Sequence, residues 1–514
     1  MIDWEAERIA AAAGARLVGA PRGDAAPRGD AARVGSSESP PAGPGPRRVT
    51  IDSRAVQAGD LFVGLPGERV DGGSYAQQAL AAGAWGVLVA PEHAARLLEN
   101  TAAGAGDDEA GTRGEAEAEV EVRAGVVLVH PDPLVALQAL ALAWRRALGA
   151  RVVAITGSTG KTSTKDILAA ALAPHLRTAA SPQNLNTEIG LPLAVLAAPA
   201  GTEALVLELA MRGPGQIAEL VAIAEPDVGV IVNVGPVHLE LLGSLEAIAA
   251  AKAELIAGMA PGSTVVTPAG EALLAPHLRS DLHSVAFGEG GDYELAPARG
   301  DGEVAIVERS QERPIVVRPS FSQSHNLRNL LAAVAAARAL GVTPSGRLDV
   351  AFSALRGERV ALADGIVLIN DCYNANPMSM RAALDDLAAS APARRVAVLG
   401  DMLELGAERG PALHREIAAH ARERGVELLV AVGPQAAEMG ETFAGEVRLV
   451  PDAAAAAALL PELLEPRDTV LVKGSRGVGL ELVAERLAGA RPVAAIETEL
   501  ADAATAPDRA GGPR

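Results

Sequence analysis

The residues with the clearest chemical purpose lie in VVAITGSTGKTSTKDIL, 152–168. An apolar β-branched run leads into a glycine-containing turn and then into a helix-forming stretch. Gly157 and Gly160 let the backbone wrap an anion, and the free N–H groups of a helix start point at it. Lys161 supplies a point charge suited to β- and γ-phosphates, and Thr162 offers a hydroxyl to Mg²⁺. The full Walker pattern has a glycine five positions before the Gly-Lys pair, where Ile155 stands, so the loop is a shortened variant. A plain strand–turn–helix junction is the bland alternative, and Gly-Lys-Thr directly after a strand disfavours it.

Later polar residues close apolar runs. Glu208 ends LVLEL and His238 follows VNVGPVH. Ligands of a doubly wound sheet bind at strand carboxyl ends. There a carboxylate and a neutral imidazole suit Mg²⁺ or Mn²⁺, though each alone could be an ordinary loop residue. Lys252, within AIAAAKAELI, reads by itself as a surface lysine on a helix. Asn184, Asn186, Thr187 and Glu188 precede a helix, where such groups hold a substrate or a metal-bound water, or cap the helix. His325 and Asn326 open another helix; Asn326 could read an adenine edge or act as an N-cap. The polar loop NDCYNANPMSM, 370–380, follows a strand, and KGSRG, 473–477, offers Lys and Arg to an anionic ligand.

These groups need a large frame. The chain has 514 residues, enough for about three domains. Two series of continuous apolar runs alternate with Ala/Leu-rich stretches. The first is 151–156, 204–209, 228–234 and 263–268; the second is 365–371, 395–401, 428–433 and 469–475. Such runs predict parallel strands buried on both faces, hence two doubly wound α/β domains with a break near Gly341–Pro344. A smaller mixed α/β unit fills the N-terminal 130 residues or so. With 3 Trp, 3 Tyr and 5 Phe, the cores must be built from Ala, Val and Leu. The stretches 20–47 and 102–124 read as flexible inserts, and the end from 497 as a tail.

Composition excludes several classes. A net charge of −19 argues against a general nucleic-acid or anionic-membrane binder, while leaving room for a local phosphate pocket. The single Cys372 excludes an intramolecular disulfide and a Cys-based zinc cluster. No run of about 18 apolar residues spans a bilayer, and the acidic start MIDWEAERIAAAAG does not suit a signal peptide. The expected location is the cytoplasm, and the expected state a monomer.

Taken together the motifs resemble the Mur ligase family over about 49–490. They are TGSTGKT (156–162), the Asn-rich segment 184–192, Glu208, the segment 232–238 and AKAEL (251–255). HNLRN (325–329), DCYNANPMSM (371–380), GDMLELG (400–406) and KGSR (473–476) complete the set. The run from Asp52 to Gly72 is similar to the family's UDP-sugar-binding unit. Thr187 departs from the pattern, since a second of two adjacent Asn is usual there.

The resemblance implies three α/β domains: a small mixed UDP-binding domain (1–133), a central P-loop ATPase-like parallel-sheet domain (134–342) and a C-terminal Rossmann-like ligase domain (343–496), with a tail at 497–514. It implies an ATP- and Mg²⁺-dependent ligase of peptidoglycan precursor synthesis that adds D-alanyl-D-alanine to a UDP-N-acetylmuramoyl-tripeptide through an acyl phosphate. Alternatives are another ligase of this architecture, such as a tripeptide or folylpolyglutamate synthetase, or a catalytically silent nucleotide-binding relative. Gly157, Ser158, Thr159, Gly160, Lys161, Thr162, Ser163, Asn326, Arg359 and Asp371 are then expected on ATP, with Arg356 as the alternative to Arg359 for the family's arginine. Thr162, Glu208, His238 and Lys252, the last as a carbamate, are expected on metal, and Lys161, Glu208, His238 and Lys252 at the chemistry. Asp52, Ser53 and Arg54 are expected on UDP, with Asn184, Asn186, Thr187, Glu188, Tyr373, Asn374 and Asn376 also on substrates.

Overall fold

A computed structural model describes residues 4–19, 45–67, 70–104, 125–297 and 302–490. The two expected inserts lie outside them except for 45–47 and 102–104, and the expected tail lies wholly outside. Residues 102–104 end the helix Pro91–Gly104, so helix extends into that stretch.

The described chain forms two compact units. One holds the residues up to Val234 and from Ser244 to Ala351; the other holds Gly235–Gly243 and everything from Phe352 on. The first unit contains two sheets. Its N-terminal sheet runs in the order Arg16–Gly19, Val126–Val129, Gly86–Val89, Asp60–Val63, Arg48–Thr50, with only the first pairing antiparallel. Phe62, Val87 and Val127 pack there on Ala79 and Leu97 from the neighbouring helices.

The larger sheet of that unit has ten strands. At its centre Arg151–Thr156 lies parallel between Ala204–Glu208 and Val228–Ile231. Beyond Val228–Ile231 come Thr264–Pro268, His283–Phe287, Tyr293–Leu295, Val304–Glu308, Ile315–Pro319 and Gly346–Leu348. Several of these outer strands alternate between buried and accessible positions, so they lack the continuous apolar run that marks the central ones. Because Gly346–Leu348 pairs with Ile315–Pro319, the first unit runs on past the expected break near Gly341–Pro344, to Ala351.

The helix Pro133–Leu148 shows how local chemistry sets an element. Asp132 accepts hydrogen bonds from the N–H groups of Leu134 and Val135, Pro133 occupies the first turn, and Gly149 closes the end in the left-handed conformation. Trp144 on its buried face meets Trp4 edge-on at 5.4 Å and donates its indole N–H to the Ala198 carbonyl.

The second unit has six strands in the order Glu358–Ala361, Val367–Asn370, Thr469–Lys473, Arg395–Gly400, Leu428–Val432, Glu446–Val450. Only the first pairing is antiparallel. Thr469–Lys473, last in the chain, inserts between two earlier strands, so a topological switch point lies there. Leu368, Val396, Val430 and Val470 form the centre of its core.

Candidate active site

The turn 157–160 joins the central strand to the helix Lys161–Leu172. Gly160 sits at φ +78°, and a Cβ there would lie 2.7 Å from Asn329 Oδ1, so both conformation and space demand glycine. Asn329 belongs to the helix Ser324–Ala339, and its amide donates to Asn326 Oδ1 at 3.3 Å. Asn326 is therefore a buried member of an intrahelical pair supporting the cradle.

A second asparagine braces the loop. Ser158 N–H donates to the Asn233 carbonyl and Thr159 N–H to Asn233 Oδ1, while Asn233 Nδ2 returns a bond to the Thr159 carbonyl. In the sequence Asn233 stands out only as a polar residue directly after an apolar strand. Lys161 Nζ donates to the Gly157 carbonyl at 2.9 Å.

Strand register brings Glu208 level with Ile155. Thr162 Oγ1 donates to Glu208 Oε2 at 2.8 Å, and Asn186 Nδ2 donates to Oε1 at 2.9 Å. The Glu208 carboxylate, on a residue 2% exposed, is thus held on both oxygens. The residues 184–188 make different contacts within the protein. Asn186 addresses Glu208, whereas Thr187 Oγ1 accepts from Gly190 N–H at the helix start. Asn184 passes its carbonyl to Asn186 N–H, and the Glu188 carbonyl accepts from Gln138.

Lys252 is no surface lysine. It is 2% exposed on the helix Leu245–Gly258. Burial, reinforced by the nearby Lys161 charge, holds its ammonium well below the usual lysine range. Two further buried groups escaped the sequence reading: Lys165 donates to the Ser181 carbonyl, and Ser181 Oγ accepts from Glu208 N–H.

The oxygen donors suit a hard divalent cation: a hydroxyl and a carboxylate, beside the buried Thr156 Oγ1, which has no hydrogen-bond partner among the described residues. No cluster of three His, Cys, Asp or Glu is arranged for a metal among those residues. His238 lies in the segment assigned to the second unit, at φ 54°, with Nδ1 paired to the Glu404 carboxylate. Glu404, from GDMLELG, is another residue that sequence reasoning did not single out; it too has a positive φ of 63°.

In the second unit Asp371 pairs with Lys473, and Tyr373 carries the Arg356 guanidinium at 4.0 Å from its ring and that of Arg476 at 6.0 Å. Asn374 Oδ1 accepts from Ala375 N–H. Asn376 and Ser379 form a reciprocal capping box at the helix Pro377–Ser390. Arg359 donates to Asp386 and Ser390. Burial pushes the Cys372 thiol up to about 11, so it is no thiolate nucleophile.

The cap yields a direct check. Asn376→Ala should cost about 1 kcal/mol of stability, whereas Asn376→Asp keeps the cap. If capping is the side chain's whole role, the aspartate variant retains the wild-type KM for the amine substrate that the family resemblance implies. A large KM increase in that variant would show a role of the amide beyond the cap.

In the N-terminal sheet region Asp52 caps the turn Ser53–Ala55 and accepts from the exposed Arg54 guanidinium. That bond holds the Asp52 carboxyl below its ordinary range. Asp71 accepts from Gly73 N–H and pairs with His93, whose ring lies where any Cβ on Gly73 would fall.

Family models match three stretches: Mur ligase family, catalytic domain, at 47–144; Mur ligase middle domain at 155–337; and Mur ligase, glutamate ligase domain, at 355–476. The chain is 35% identical to the UDP-N-acetylmuramoyl-tripeptide–D-alanyl-D-alanine ligase of Synechocystis, over 86% of this chain and 92% of that one. MurF from Acinetobacter baumannii is similar in structure, with a TM-score of 0.74, 26% identity and coverage of 94% and 98%. MurF from Thermotoga maritima, solved with ADP, gives a TM-score of 0.69 at 29% identity, covering 86% and 97%. No helix among the described residues is long and apolar enough to cross a membrane.

Proposed function

The chain belongs to the Mur ligase family, and from that premise we infer an ATP-dependent ligase joining D-alanyl-D-alanine to a UDP-N-acetylmuramoyl-tripeptide, a step of peptidoglycan precursor synthesis. The observation that carries the reading is the Thr162–Glu208–Asn186 constellation at the phosphate cradle. A terminal carboxylate must approach a triphosphate there, so charge neutralisation and positioning dominate the chemistry.

The carboxylate oxygen takes the γ-phosphoryl group, a P–O bond to ADP breaks, and an acyl phosphate results. The dipeptide amine attacks the carbonyl carbon, loses a proton, and expels phosphate to leave the amide. Lys161, within Gly157–Ser163, holds the transferring phosphates. Thr162 and Glu208 would bind Mg²⁺, with His238 and carbamylated Lys252 as further ligands, and the ion would supply charge neutralisation. Asn186 keeps Glu208 oriented. Asn326, Arg359 and Asp371 hold the nucleotide, and Asp52, Ser53 and Arg54 grip the UDP moiety. Asn184, Thr187 and Glu188 lie on the carboxylate substrate's side. Tyr373, Asn374 and Asn376 form the loop for the incoming dipeptide. The enzyme acts as a single chain, in the cytoplasm where ATP is abundant.

Mass spectrometry tests this directly. Purified protein with UDP-N-acetylmuramoyl-tripeptide, ATP, Mg²⁺ and D-alanyl-D-alanine should yield the pentapeptide, with ADP and phosphate in equal amounts. Sedimentation of the same preparation should give the mass of one chain. Nucleotide hydrolysis without the pentapeptide would overturn the substrate assignment.

A further inference from the structure

Lys473 ends the strand that inserts at the switch point of the second unit. Register places it beside Leu399 on one neighbour, while Asp371 N–H donates to the Val472 carbonyl on the other side. Loops leaving such strands open where ligand crevices form. Its position alone would suit it to an external anion, as KGSRG suggested.

The side chain does something else. Lys473 is 2% exposed. Its Nζ donates to Asp371 Oδ2 at 2.7 Å, to the Asn374 carbonyl at 2.9 Å and to the Asp371 carbonyl at 3.4 Å. An ammonium has three protons, and here all three acceptors belong to one loop. A buried charge persists only when paired and satisfied, and this one is. The expectation that Lys473 serves an outside anion is thereby corrected.

The rest of the segment works on the same loop. Ser475 Oγ donates to the Ala375 carbonyl and accepts from Leu403 N–H. Arg476 lies over the Tyr373 ring at 6.0 Å, as does the Arg356 guanidinium at 4.0 Å.

We propose that Lys473 is a positioning residue: by clamping Asp371 and the Asn374 carbonyl it fixes the 371–374 loop in the shape that receives the nucleotide and the incoming amine. This rests on the reading, given above, that the loop meets those two substrates. Lys473 does not itself touch them.

Steady-state kinetics of the full chain, varying each substrate in turn, test the assignment. Lys473→Met should raise KM for ATP and for D-alanyl-D-alanine roughly tenfold, the effect of losing a charge-assisted hydrogen bond. KM for the UDP-tripeptide should stay within about twofold. A merely structural role would lower the active fraction and kcat and leave all three KM values alone. Asp371→Asn should raise the KM for ATP, and its effect should not add to that of Lys473→Met. Should Lys473→Met fail to fold, Lys473→Arg keeps a buried cation and should raise the same two values by a smaller factor. If Asp371→Asn and Tyr373→Ala raise those values but the folded Lys473 variants do not, the positioning role is overturned while the loop reading stands. If all variants leave every KM unchanged, the loop reading fails and the inference falls with it.

Discussion

Lys161→Ala is expected to abolish amide formation, by at least about 10³-fold, in a protein that still folds. The lysine sits at the first turn of its helix and donates to a loop carbonyl, and alanine suits the helix. What disappears is the cation that offsets the repulsion between a carboxylate and a triphosphate. Backbone N–H groups of the turn cannot replace a full charge. Thermal melting should be near that of the wild type, while product by mass spectrometry should fall to background. Near-normal turnover in the folded variant would refute the role of Lys161.

Lys252→Ala should lose most activity as well, on the order of 10²- to 10³-fold, and regain part of it in added formate or acetate. The reasoning is electrostatic. A protonated Lys252 would be a buried cation close to Lys161, which burial and like-charge repulsion both oppose. In its unprotonated form the amine would be a nucleophile toward CO₂: Nζ would bond to the carbon, a proton would leave, and the product would be an anion. Repulsion toward Lys161 would then become attraction, and the new carboxylate could face Mg²⁺. Alanine removes this group from a helix that tolerates it, leaving space for a short carboxylate. Wild-type activity in the variant would end the assignment. An inactive, folded variant that no small carboxylate rescues would leave Lys252 essential but remove the carbamate from the account.

The strands Arg151–Thr156, Ala204–Glu208, Val228–Ile231 and Thr264–Pro268 were legible because double-sided burial writes an unbroken apolar run. Those of the second unit were legible for the same reason. The outer strands from Tyr293 to Pro319 were not, since their faces alternate and runs are short. Nothing local marked Gly235–Gly243 as part of the second unit, because that assignment depends on contacts with residues such as Met378 and Glu404, far along the chain.

The phosphate cradle was determined by the sequence alone. A strand, a glycine turn and a helix start are contiguous, so their geometry follows from local backbone preferences and helix-end N–H groups. Tertiary structure decided which side chains work on one another. Thr162 meets Glu208, and Lys473 meets Asp371 across 102 residues. It also turned Lys252 from an apparent surface lysine into a buried amine and took Lys473 out of contact with any outside anion. Sheet order and register set those meetings. Both arise from long-range pairing, which no window of neighbouring residues encodes.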